Sequence, residues 1–128
     1  MATVLNSTAL ATDWLKWEED NYFSRETGTL ASGSGVVTTG TVLAKVTASG
    51  KWVPAVNSAA DGSQTAAGIL FNDSVDATSA DQKIIVVSRH AIVSHAGLTY
   101  GASINDATKR ATAHGQLAAV GIRVREGA

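Results

Sequence analysis

The hydrophobic pattern of this chain has a two-residue period through its middle and turns helical only near the C-terminus. Val42, Ala44 and Val46 alternate with Thr41, Leu43, Lys45 and Thr47, the pattern of a strand with one buried face. Ser49-Gly50 supplies a hairpin turn, and Lys51 to Val56 is the return strand. Pro54 places that strand at an edge or a bulge, because proline donates no ladder hydrogen bond. Asp61-Gly62 marks another turn. Ala66 to Phe71 and Lys83 to Val93 are strands rich in β-branched residues, joined by a polar loop from Asn72 to Gln82. The run Ile84-Ile85-Val86-Val87 has no solvent face and calls for cover on both sides. Asn105 then caps a helix that begins at Asp106, carries Ala107, Ala111, Leu117, Ala118 and Ala119, and is interrupted at Gly115. Gly121 suits the left-handed position after the helix, and Ile122 and Val124 alternate with Arg123 and Arg125 in a short closing strand.

The first forty residues break this pattern. Trp14, Trp17, Tyr22 and Phe23 place four of the seven aromatic residues within ten positions. The same stretch is acidic: Asp13, Glu18, Glu19, Asp20 and Glu26 stand against Lys16 and Arg25, a net charge of -3. The segment TGTLASGSGVVTTG that follows reads as flexible or turn-rich backbone. The expected division is an N-terminal arm, residues 1–25, and a β-rich domain, residues 26–128. Thr12 or Asp13 caps a short helix in the arm, with Trp14 and Trp17 on neighbouring surface positions. Large rings beside a flexible segment suit anchoring in another protein, whereas folding back to complete the body core is the competing reading.

Length and charge narrow the function classes. A chain of 128 residues supports one modest core. A net charge of -1 provides no general attraction to nucleic acid or an anionic membrane. With no cysteine there is no disulfide framework, thiolate zinc site or cysteine nucleophile, which fits assembly in a reducing compartment. MATVLNSTALATDW lacks the positive n-region of a signal peptide, and no apolar run reaches the roughly 20 residues of a membrane helix.

Catalytic and metal chemistry find little footing. There is no GxSxG elbow, and His90 and His95, five apart, fall on opposite faces of a continuous strand. His114 stands alone beside Gly115, so all three histidines are expected to be surface or hydrogen-bonded structural residues, each dispensable for function. Asp73 and Asp76 lack the spacing of a calcium loop, and GSGVVTTG lacks the Lys-Ser/Thr of a phosphate loop. No catalytic residue, cofactor or metal is expected.

Taken in order, the stretches WEEDNYFSRE, TLASG, GTVLAKVTASGKWVP, DGSQTAAGIL, VDATSADQK, VVSRHAIV and LAAVGIRVRE resemble the phage head decoration proteins, from about Trp17 to Arg125. Asp73-Ser74-Val75-Asp76 and His90 depart from the family's usual residues. The resemblance implies a mainly β fold, a β-tulip-like small barrel or sandwich with a short C-terminal helix and an extended N-terminal arm. It implies a non-enzymatic homotrimer, made in the bacterial host cytoplasm, that binds the major capsid protein outside the expanded head and stabilises the lattice against DNA pressure. The capsid-binding residues are then expected to be Trp14, Trp17, Tyr22 and Phe23. Strand faces around Ile84 to Val93 are expected to serve the trimer interface, and removal of residues 1–25 is expected to leave a folded trimer. A β-rich peptide- or carbohydrate-binding module, with a deep pocket lined by Trp52 or Tyr100, and a small hydrolase are the alternatives.

Overall fold

The period-two segments close into a five-stranded barrel in the computed structural model, which describes residues 13–19 and 23–125. The barrel strands are β2 (Arg25–Leu30), β4 (Val42–Lys45), β5 (Trp52–Pro54), β6 (Ala66–Leu70) and β8 (Gln82–Val87). Their order around the barrel is β2-β5-β4-β6-β8, and β8 returns to β2 through an antiparallel ladder from Arg25↔Val87 to Leu30↔Gln82. Closure leaves no unpaired barrel edge. A separate two-stranded ribbon of β3 (Gly35–Thr38) and β7 (Ser74–Ala77) packs against it. The other sheet has the order β1-β9-β10, from β1 (Leu15–Glu18), β9 (Ala91–Ser94) and β10 (Ile122–Arg125).

Alternation along the strands divides the core in two. Leu30, Leu43, Trp52, Leu70, Ile84 and Val86 form one cluster, joined by Val37 and Ala77 of the ribbon. Their chain neighbours Val42, Ala44, Ile69 and Val87 belong to a second cluster with Trp14, Ala91, Val93, Ile122 and two residues of helix α1 (Ala107–Ala119), Ala113 and Leu117. β4 is therefore buried on both faces, not one. In the Ile84–Val87 run, Ile84, Val86 and Val87 are buried within the single chain, whereas Ile85 stays partly exposed.

Several local expectations change. The glycine-rich segment forms the end of β2 and all of β3. β2 stands on its ladder to β8 rather than on an apolar face, and Gly28 leaves room for an indole: a Cβ there would lie 2.5 Å from Trp52 Nε1. The polar loop after Phe71 contains β7. The strand expected from Lys83 to Val93 breaks into β8 and β9 at a turn where His90 adopts φ 48°, a left-handed conformation unusual outside glycine. That turn is clasped from outside: the Ser88 N–H donates to the Ser24 carbonyl (2.9 Å) and the Ser24 hydroxyl donates to the His90 carbonyl (2.7 Å). Asp106, one residue after the expected cap, caps α1 by accepting from the Lys109 N–H at 2.8 Å. Gly115 lies within the helix without interrupting it, and Gly121 has the expected positive φ, 84°.

Three aspartates hold turns together. Asp61 accepts from the Ser63 hydroxyl and N–H, Asp76 from the Thr78 hydroxyl and N–H, and Asp81 from the Lys51 ammonium and the Ser32 N–H. These donors hold all three carboxyl groups below the usual 3.8. Because the folded values are lowered, the stabilisation is present above about pH 4 and lost as pH falls through them. Thermal melts should show a falling Tm between pH 5 and pH 3 (about the carboxylate range), and the D61N/D76N/D81N variant should show a shallower fall.

Candidate functional site

The β1-β9-β10 sheet turns one face to the core and one outward. Ala91, Val93 and Ile122 point inward and are buried. Across the sheet, Trp17 pairs with Ile92, and Ile92 with Arg123, so these three side chains form one outward row; Arg125 follows on the same face of β10. Trp17 is 49% exposed. With His90, Ala91, Ile92, Gly121, Arg123 and Arg125 it lines an open groove of about 400 Å³.

His90 extends this surface toward a second ring. Phe23, 52% exposed, meets the imidazole edge-to-face at 5.4 Å between ring centres, and the Arg89 guanidinium lies 5.2 Å from the Phe23 ring centre. Glu19 Oε2 is 3.9 Å from His90 Nδ1. Below the rings, Glu18 takes a two-pronged pair from Arg25, at 2.9 Å from Nε and 2.6 Å from Nη2, which ties β1 to the start of β2.

The four aromatic residues expected to bind the capsid thus occupy different settings. Trp17 and Phe23 are exposed beside the same histidine. Trp14 has no exposed surface and packs in the chain's own core. Its Nε1–H donates to Thr39 Oγ1 at 3.0 Å, and the Ser94 N–H donates to its carbonyl at 2.7 Å. Tyr22 lies outside the described residues. The short helix expected to carry Trp14 and Trp17 is replaced by β1, and β1 belongs to the body's sheet although it falls within residues 1–25.

A second side-chain cluster was not visible in the spacing. His95, on a single turn of 3₁₀ helix at His95–Gly97, places Nδ1 2.8 Å from Tyr100 Oη, and Tyr100 Oη is 2.5 Å from Nε2 of His114 on α1. The phenol has one proton and two lone pairs, so it bridges the imidazoles and links the helix to the segment after β9. His114 is therefore not solitary. Among the described residues no group of three or more His, Cys, Asp or Glu is arranged to hold a metal ion. Trp52 is 2% exposed in the barrel core, and the Tyr100 hydroxyl is engaged in this bridge. No helix among the described residues is long and apolar enough to cross a membrane.

A family model described as bacteriophage lambda head decoration protein D matches residues 4–122. Comparison with curated proteins finds no match. The matching family consists of structural capsid proteins and is not known for enzymatic activity, which places the chain's role on the phage virion. With nearly its whole length covered, the chain belongs to the bacteriophage lambda head decoration protein D family.

Proposed function

We propose that this protein binds as a homotrimer to the outside of the expanded phage head, contacts the major capsid protein and stabilises the lattice against internal DNA pressure. Synthesis takes place in the bacterial host cytoplasm. The observation that carries the capsid-contact reading is the pair of half-exposed rings, Trp17 and Phe23, set beside His90 on one surface. Rings of this size contribute strongly when a partner removes them from water. Tyr22 and the preceding arm residues belong to the same proposed contact; Trp14 serves it by fixing where β1 lies. The match to a head decoration family supports this reading, and the internal use of Trp52 and Tyr100 counts against the peptide- or carbohydrate-binding alternative.

Decoration of expanded, undecorated heads tests it. Trp17→Ala and Phe23→Ala should each fold normally and weaken head binding by about 2 kcal/mol, or about 30-fold. Decorated heads should survive heating or osmotic shock that ruptures bare ones. Unchanged binding by both variants would remove these rings from the contact.

A further inference from the structure

Several cations on this protein have carboxylate partners. Among the described residues, Arg25 holds Glu18, Lys45 and Arg89 share Glu26, Lys51 holds Asp81 and Lys109 lies beside Asp106. Like Lys83 and Arg110, Arg123 and Arg125 have no such partner within the described residues, but these two stand side by side on one face of β10. They are also the cations that line the groove containing Trp17. Glu19 lies beside His90 at the groove's margin. The surface therefore joins an aromatic ring and an aliphatic side chain, Ile92, to two guanidinium groups.

We infer that this groove receives an extended acidic segment of the capsid lattice, with carboxylates two positions apart on Arg123 and Arg125 and its apolar flank on Trp17 and Ile92. The inference rests on the proposed capsid contact and specifies the partner's chemistry. Side chains two apart on a strand are about 6.6 Å apart, and an extended ligand presents alternate side chains at the same interval. Guanidinium groups pair with carboxylates through two parallel hydrogen bonds, which fixes register as well as charge. A nucleic-acid strand is the competing polyanion. The chain's net charge of -1 disfavours a general polyanion contact, and the aliphatic Ile92 between Trp17 and Arg123 suits the apolar flank of a peptide.

The test uses the full chain and three probes: expanded heads, a short alternating Asp-Val peptide and oligothymidylate. The peptide should perturb tryptophan fluorescence in the parent protein and leave the W17F variant unperturbed. The R123Q/R125Q variant, with folding verified by circular dichroism, should bind both peptide and heads about tenfold or more weakly and with a flatter salt dependence. Equal peptide affinity in parent and R123Q/R125Q overturns the inference, as does tighter binding of oligothymidylate than of peptide. If the parent decorates heads and R123Q/R125Q does so equally well at low and high salt, the groove assignment fails while the proposed function stands. A parent protein that does not decorate heads overturns both.

Discussion

Replacing Trp14 by alanine is expected to destabilise the protein by about 3–5 kcal/mol, the range for emptying a fully buried indole site. The ring lies against tight backbone: a Cβ on Gly40 would come 2.9 Å from its Cδ1, and a Cβ on Gly97 would come 2.9 Å from its Cβ. Its N–H is satisfied by Thr39, whose hydroxyl also lies 3.0 Å from the Phe71 carbonyl and 3.3 Å from that of Leu70. Trp14→Phe should preserve much of the packing and cost about 1 kcal/mol more than volume alone predicts, through loss of that hydrogen bond. Urea unfolding of the three proteins checks this. The same geometry reverses the expectation for truncation. Removing residues 1–25 takes away Trp14, the whole of β1 and the antiparallel partner of β9, so the product should aggregate or unfold rather than persist as a folded trimer. A chain beginning at Asp13 keeps these contacts and should remain folded. A soluble, cooperatively melting 26–128 fragment would show that Trp14 is dispensable to the core.

The second large effect is expected at Trp52. Trp52→Ala should cost about 3–5 kcal/mol, since the ring occupies the barrel cluster at 2% exposure. Two strand glycines make room for it. The three atoms nearest a Cβ at Gly28 all belong to the Trp52 indole, the closest at 2.5 Å, whereas a Cβ at Gly68 would meet Val86 Cγ1 at 2.5 Å and Trp52 Cη2 at 3.2 Å. Gly28→Ala should therefore destabilise by about 1–3 kcal/mol through overpacking. In a Trp52→Leu background the same change should cost much less, because the obstructing ring is gone. A double-mutant cycle measures the difference. An equal cost in both backgrounds would assign the Gly28 requirement to the backbone instead.

These two tryptophans show what could be read from the chain and what could not. Strands that are apolar almost throughout, such as Val42–Lys45 and Ala66–Leu70, were visible because nearly every residue in them is buried. So was the end of α1, where Gly121 supplies a positive φ. β2 was not, because Arg-Glu-Thr-Gly-Thr-Leu has no apolar period; the strand is specified by a partner more than fifty residues away and by the ring that Gly28 accommodates. β7 was missed for a similar reason, its pairing being with β3 across the intervening barrel strands. The break in the Lys83–Val93 run depends on Ser24 holding the Ser88–His90 turn, a contact that a local pattern does not contain. At the candidate site the aromatic cluster was evident in the sequence. Its division into a core ring, Trp14, and an exposed one, Trp17, requires the pairing of β1 with β9. Arg123 and Arg125 became part of the site only when the parallel register of β10 set them beside Ile92 and Trp17.

The order β1-β9-β10 also determines how the protein can be extended. β1 runs antiparallel to β9 and β10 runs parallel to it, so Leu15, opposite Val93, and Arg125, opposite Ser94, lie at the same end of the sheet. One strand separates them, a distance of about 10 Å. A domain attached shortly after Arg125 is therefore tethered at the end of the sheet where β1 begins. Its bulk crowds the sheet edge that β1 forms, and a longer linker relieves that crowding.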